Sequence, residues 1–286
     1  MLPAWLDSIA GPLLAATQAP NLGQLKGEVL REWGSSEVWR LSYGLRSVIA
    51  KRGSDAQVTE AAAYRRLVVP LELPAPKLIH AEETDDAVLL VLADVGLVSL
   101  EQEPTAEGFL AAAELIATVR SQPIDAPSEF TPDHLRDLVR RSPADGDLAA
   151  RLESVGVAKL DELQKETPAR VVHGDFVSKN LVTDGTRWTI VDWPLAHVAP
   201  HLSDLHTLLR DAVAVGHQRG PIVARYIDAS GTDPQLVQRQ LAIGGIAFTL
   251  RALAWVVEEG VNTVTSSREW IAPLLAELTD ITTNLR

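Results

Sequence analysis

Residues 170–192 read RVVHGDFVSKNLVTDGTRWTIVD, with polar residues at set places between apolar runs. His173-Gly174-Asp175 ends the first run, Asn180 follows Asp175 by five residues, and Asp192 ends a second run that begins after Asp184-Gly185. A carboxylate can take the proton from a hydroxyl as it becomes a nucleophile. Moving a γ-phosphoryl group from a nucleoside triphosphate to a hydroxyl asks for such a carboxylate, oxygen ligands for Mg2+, and a cation on the α- and β-phosphates. Two short strands, 181–183 and 188–191, would fold Asp192 back beside Asn180, and Asp-Gly between them is a strong hairpin signal. A plainer reading makes Asp175 and Asn180 turn caps, as Asx residues often are. It leaves the second Asp and the framing strands without a purpose.

Protein kinases place an Asp, an Asn five residues later and a second Asp on the next hairpin at these spacings. The stretch resembles the aminoglycoside phosphotransferase and choline-kinase-like branch of that fold, which writes HGDxxxxN where protein kinases write HRD. Asp192-Trp193 matches the branch's Asp-Trp, and Ser203-Asp204-Leu205 matches its Asp-Leu on the following helix. The resemblance implies that Asp175 is the catalytic carboxylate, that Asn180 and Asp192 hold Mg2+, and that His173 braces the loop. Lys179 stands where the branch commonly has Gly, so it either meets the transferring phosphate or points to solvent. Asp192-Trp193-Pro194 lacks the Gly of DFG, which removes the reason to expect a flip there.

These groups need a scaffold. If residues 25–95 form the nucleotide lobe of such a fold, a Lys belongs on its third strand and a Glu on the next helix. Val48-Ile49-Ala50-Lys51 and Glu60 meet both demands. Each alone would be an ordinary surface charge; order and spacing favour function. Strand alternation puts Arg52 on the opposite face from Lys51. Gly34, Ser35 and Ser36 lie between two strand patterns, where a loop could meet phosphate through Ser35 and Ser36. By analogy, backbone groups from Leu92 through Asp94 to Val95 would bond adenine, with Ile49, Val182 and Val191 as apolar contacts.

Alternating runs dominate 25–95, interrupted by one Ala-rich helix with Thr59 as its expected cap. Beyond 105, apolar residues at three-and-four spacing mark helices at 105–120 and 147–163. A further helix opens at Asp233-Pro234 and ends near 260, and a last one covers 266–285. The fold class expected is α+β: a bilobal protein-kinase-like fold. Residues 1–95 would form a small β-rich nucleotide-binding lobe with a leading helix. Residues 96–286 would form a larger, mainly helical lobe with the catalytic loop and acceptor site. The apolar start has no basic region and carries Asp7, which reads as a packed helix and not a signal peptide. The apolar run 241–257 is broken by Gly244, Gly245 and Arg251, which reads as a buried helix.

The 286 residues are 46% hydrophobic and 22% charged, with a net charge of −12. That charge argues against a nucleic-acid partner, since phosphate-backbone binders present basic surfaces. It suits a cationic small molecule. With no cysteine there is no disulfide, thiolate metal site or cysteine nucleophile. His197, His201 and His206 suit no common zinc spacing, and helix or substrate-pocket roles are expected for them. No APE segment and no long activation loop follow Asp192, so a protein substrate is not expected. The expectation is a cytoplasmic enzyme, without a membrane partner, that uses ATP and Mg2+ to phosphorylate a hydroxyl of a small molecule such as an aminoglycoside. GTP as donor stays open, as does the oligomeric state. The alternatives are a kinase of a sugar, amino sugar or choline-like metabolite, or a nucleotide-binding module without turnover. Acceptor residues are sought in 129–147 and in the helices after 199, with Asp204, Trp255, Glu258 and Glu259 as candidates for that role or for packing and surface.

Overall fold

A computed structural model describes residues 2–33, 35–96 and 98–285. The apolar start makes one tight turn, Ala4–Asp7, and then helix α1 (Ala10–Thr17). Alternation then produces strands β1 (Lys26–Trp33), β2 (Ser36–Tyr43) and β3 (Arg46–Gly53). Helix α2 (Glu60–Ala63) widens into a π turn over Tyr64–Val68. Strands β4 (Leu78–Glu83) and β5 (Val88–Ala93) complete an antiparallel sheet in the order β1-β2-β3-β5-β4. Residues 88–92 are buried without alternation, as a short continuous apolar run predicts. Leu6, Ile9 and Leu13 pack with Leu41, Val48, Ala50 and Val91 in one core, so the leading segment is part of this layer. Thr59 is not the cap of α2. The preceding tight turn Asp55–Thr59 already supplies Gln57 O to the Glu60 N–H, and the Thr59 hydroxyl donates to Pro194 O at 2.6 Å instead.

The chain continues through β6 (Val98–Ser99), α3 (Ala106–Ser121), α4 (Pro132–Arg141) and α5 (Gly146–Arg151). A π turn, Leu152–Gly156, joins α5 to α6 (Val157–Glu166). Four short strands follow: β7 (Arg170–Val172), β8 (Leu181–Thr183), β9 (Trp188–Ile190) and β10 (His197–Ala199). The last helices are α7 (Ser203–Ala214), α8 (Arg219–Ser230), α9 (Pro234–Trp255), α10 (Val261–Thr263) and α11 (Ile271–Asn284). Asp233 caps α9 by accepting the Gln235 and Leu236 N–H groups at 2.9 and 3.0 Å, as Asp-Pro predicts. Helix α4 was not expected; residues 129–147 were read as a source of acceptor contacts. Leu135, Leu138 and Val139 are buried on its inner side.

By packing, the chain forms two compact units, Met1–Glu103 with Lys179–Ala196, and Pro104–Ser178 with His197–Arg286. A single cut at 95/96 does not describe them, because chain pairing carries later segments into the first unit. Strand β6 pairs with β8, Leu100 N–H donates to Leu181 O at 2.9 Å, and Ile190 N–H donates to Pro74 O at 2.8 Å. The second unit is helical, with β7 and β10 paired within it. Ile243, Ile246, Leu250 and Leu253 of α9 lie in its core with Leu135, Leu160 and Leu278. Residues Pro234–Thr263 are long and apolar enough to cross a membrane, yet 67% of the apolar window is buried inside the protein, as in a core helix. A Cβ at Gly244 would lie 2.5 Å from backbone atoms of Leu202 and Ser203, so glycine lets α9 touch the start of α7.

Candidate active site

In the first unit, strand β3 pairs Lys51 with Val38 on one side and Leu90 on the other. Alternation sends Arg52 the other way, 3.9 Å from Asp86. Lys51 Nζ lies 2.6 Å from Glu60 Oε2 and also bonds Asp192 Oδ1. Lys51 is 4% exposed and Glu60 0%. Glu60 Oε1 accepts the Trp193 N–H at 3.1 Å. Burial works to strip the Lys51 proton, but the Glu60 and Asp192 carboxylates outweigh it and hold the ammonium charged above its ordinary range. Burial pushes Glu60 upward against the opposing pull of Lys51. Asp192 has φ +70°, a left-handed conformation that a non-glycine residue adopts at a cost of about 1–3 kcal/mol. It immediately precedes Trp193, which is fully buried and whose Nε1–H donates to Ile190 O at 2.8 Å.

A cavity of about 380 Å3 opens beside this triad, entirely within the first unit. Ser36, Ile49, Leu92, Asp94, Val95, Lys179, Val182 and Val191 line it together with Lys51, Glu60 and Asp192. Lys179 is partly buried there. Ser35 does not line the cavity; its carbonyl accepts the Ser54 N–H at 2.8 Å at the tight end of β1 and β2. Gly34 lies outside the described residues. Asn180 is buried just before β8, and its carbonyl accepts the Val191 N–H at 2.9 Å, which puts the residue before Asp192 opposite Asn180. Arg40 was not foreseen. It lines the cavity from β2, with Nε 2.8 Å from Asp94 Oδ2 and Nη2 donating to Gly96 O at 2.7 Å. Gly96 has φ +149°, and a Cβ there would lie 2.2 Å from Thr183 O, so the chain passes this point only as glycine.

The β8–β9 hairpin has the expected partners, Leu181 opposite Ile190 and Thr183 opposite Trp188. Its turn is longer than a two-residue Asp-Gly loop, because Asp184 builds it. One carboxylate oxygen accepts the Thr186 N–H (2.8 Å), the Thr186 hydroxyl (2.7 Å) and the Arg187 N–H (2.9 Å). These bonds, led by the Thr186 hydroxyl, lower the Asp184 pKa from 3.8 to about 2. A depressed folded-state pKa contributes stability above the unfolded value and loses it as pH falls through the folded one. Thermal melts of wild type and Asp184→Ala are therefore expected to differ at pH 5 and to converge between pH 3.8 and about 2. A constant difference down to pH 2 would deny the turn this role.

In the second unit, β7 delivers residues 173–178 to one face of α7. Asp204 Oδ2 accepts the His173 N–H at 2.7 Å and its Oδ1 the Gly174 N–H at 2.9 Å. The Thr207 hydroxyl donates to Phe176 O at 2.7 Å, and Asp211 Oδ2 accepts both the N–H and the hydroxyl of Ser178 at 2.7 Å. Spacings of three and four along a helix put 204, 207 and 211 on one side. The polar face is readable in SDLHTLLRD once a loop to be held is known. His173 is fully buried, and its Nδ1 accepts the Asp175 N–H at 3.3 Å. Arg251, read in the sequence only as an interruption, donates from Nη2 to Gly174 O at 2.6 Å.

Both carboxylate oxygens of Asp204 are thus taken by the loop's amides. Glu258 forms an exposed pair with Arg141 (2.6 Å), and Trp255 stacks on Trp270 with centroids 6.4 Å apart. Glu259 is exposed. His206 faces Glu277 at 3.0 Å, while His201 is buried edge-on to Phe130 at 4.8 Å and lies 5.6 Å from His197. Among the described residues, no group of three or more His, Cys, Asp or Glu is placed to share a metal ion.

An antiparallel sheet carrying a Lys–Glu pair, followed by a helical unit with an HGD loop anchored on a helix, defines a protein-kinase-like fold. The sequence matches the phosphotransferase enzyme family (APH) over residues 28–238, and the chain belongs to that family. It is a small-molecule phosphotransferase with a hydroxyl acceptor. Similar solved structures include a choline/ethanolamine kinase family protein from Mesorhizobium loti, with 17% identity, TM-score 0.68, and coverage of 97% of this chain and 93% of that one. Another is a thermostable mutant of aminoglycoside phosphotransferase APH(4)-Ia, solved with ADP and hygromycin B, with 16% identity, TM-score 0.61, and 96% and 98% of the two chains covered. A third is choline kinase from Cryptosporidium parvum Iowa II, with 12% identity, TM-score 0.63, and 97% and 96% covered. No curated protein matches the chain.

Proposed function

We propose that the protein transfers the γ-phosphoryl group of ATP, with Mg2+, to a hydroxyl of a small cationic molecule. The observation that carries this is Lys51, held by Glu60 and Asp192, opening on an apolar-walled cavity of about 380 Å3. That volume falls in the usual range for small-molecule sites. Lys51 is the cation for the α- and β-phosphates. Ile49, Leu92, Val182 and Val191 are contacts for the purine, with the backbone near Asp94 and Val95 at its edge. Ser36 and Lys179, both on the cavity wall, are the phosphate contacts. The donor set fits Mg2+: Asp192 and Asn180 offer the hard oxygen ligands that this ion prefers. Bound there, the ion would offset phosphate charge. Asp175 accepts the proton of the acceptor hydroxyl, and His173 braces its N–H.

The cationic acceptor is supported by the net charge of −12 and by the similar aminoglycoside phosphotransferase solved with hygromycin B. The test is ADP release with a panel of aminoglycosides, amino alcohols, amino sugars and neutral sugars, with ATP or GTP, with and without Mg2+. The expected result is ADP formation that needs both Mg2+ and a cationic acceptor, with ATP preferred. Turnover confined to neutral sugars would remove the cationic acceptor. Nucleotide binding without any turnover would make the protein a nucleotide-binding module.

A further inference from the structure

We infer that Arg251 is a positioning residue for the loop 173–178, closing from α9 a clamp on Gly174 whose other jaw is Asp204 of α7. Both backbone polar groups of Gly174 are taken by side chains: its N–H by Asp204 Oδ1 at 2.9 Å, its carbonyl by Arg251 Nη2 at 2.6 Å. Gly174 has φ +88°, a conformation in which the two groups are fixed from different helices. Asp175 is the next residue. Holding the Gly174 carbonyl holds the peptide that leads into Asp175, and so limits where its carboxylate can point.

Two independent features support the assignment. The first is cost. Arg251 is partly buried and interrupts a helix otherwise packed by Ile243, Ile246, Leu250 and Leu253. An aliphatic residue of similar length would avoid the desolvation penalty of a guanidinium there. The second is charge. Burial lowers the proton affinity of Arg251, and the attractions that oppose this come from Asp175 and Asp204. The nearby imidazole of His201 is held neutral by its own burial and by His197, Arg120 and Arg251, so it does not compete as a cation. The approach is set by Gly244, which allows α9 to contact Leu202 and Ser203 just before Asp204. One helix crossing therefore sets both jaws.

The catalytic consequence rests on the role proposed for Asp175; the loop-holding consequence does not, and the experiment separates them. Arg251→Met keeps length and removes charge and hydrogen bond. Hydrogen exchange of the peptide covering 171–178 is expected to quicken about tenfold, in line with the loss of a charge-assisted hydrogen bond, while the peptide covering 181–190 is unchanged. Turnover number is expected to fall about 10- to 100-fold, the scale of a small misplacement of a reacting group. The Michaelis constant for the nucleotide stays within about twofold, and Arg251→Lys recovers part of the loss by restoring a donor and a charge. Melting temperature is expected to fall in the Met variant, since the Gly174 carbonyl loses its donor and Asp204 a nearby positive charge, and to fall less in the Lys variant. Unchanged exchange at 171–178 overturns the clamp. Unchanged turnover, or a loss that follows the melting temperature equally in Met and Lys variants, overturns the positioning role. If wild type turns over no acceptor, the proposed function fails alone, and the exchange result still decides the clamp.

Discussion

Asp175→Asn is expected to lower the turnover number by about 10^3-fold and to leave nucleotide affinity within about twofold, the behaviour of a lost general base. The substitution is nearly isosteric. It removes the proton acceptor and keeps the backbone bonds that shape the loop, since His173 Nδ1 accepts the backbone N–H of residue 175 and the Val177 N–H donates to its carbonyl. Neither bond uses the carboxylate. The neighbouring anchors, Asp204 on the His173 and Gly174 amides and Asp211 on Ser178, are equally untouched. The loss should therefore fall mainly on the chemical step, although the substitution also removes the attraction of the Asp175 carboxylate for Arg251. Steady-state rates with a panel acceptor, alongside nucleotide titration calorimetry, measure the two halves separately. Near-wild-type turnover would remove Asp175 from the reaction. An equal collapse of nucleotide affinity would mean that the loop had moved.

Lys51→Met carries the largest expected effect on stability. Glu60 is fully buried, and the Lys51 ammonium 2.6 Å away is its compensating charge; its other bond is the Trp193 N–H at 3.1 Å. Removing one partner of a buried ion pair typically costs about 3–5 kcal/mol. Asp192 loses the same partner while standing in a left-handed conformation. The pH dependence has a definite sign. Burial raises the folded-state pKa of Glu60 above its ordinary value of 4.5, and without Lys51 the charge that opposes that rise is lost. A carboxyl with a raised folded-state pKa binds its proton more tightly when folded, so stability falls as pH rises above 4.5. The deficit of Lys51→Met should therefore be larger at pH 8 than at pH 5. Adding Glu60→Leu should recover much of it, because the stranded charge is gone. Urea denaturation of the wild type, the two single variants and the double variant at both pH values tests this. Additive losses would show that the residues are not a coupled pair.

Much of this site is legible in one dimension because its spacing is local. The five residues from Asp175 to Asn180 and the hairpin to Asp192 are set by strand and turn chemistry that neighbouring residues dictate. The place of Lys51 on β3 follows from alternation, which also disposes of Arg52. The helices at 105–120, 147–163 and from Asp233-Pro234 were likewise readable, through three-and-four spacing and cap residues. Thr59 misled because an Asx-like hydroxyl before a helix has several possible partners, and the one it meets, Pro194 O, is far away in sequence. Helix α4 escaped notice because its few apolar residues sit among six charged or polar ones, and only the core behind Leu135 and Leu138 makes it cohere.

By itself the sequence determined which groups could do phosphoryl chemistry, in what order, and on what kinds of element, since those depend on residue type and short-range periodicity. Only the tertiary structure decided how each is held. The pairing of β6 with β8 assigns 179–196 to the sheet-bearing unit, and the α7 face of Asp204, Thr207 and Asp211 fixes the loop. Arg40 beside Asp94, and Arg251 beneath Gly174, are joined to partners 54 and 77 residues away in sequence. Hydrogen bonds over such separations arise from helix crossings and sheet order, and no local pattern of residues encodes them.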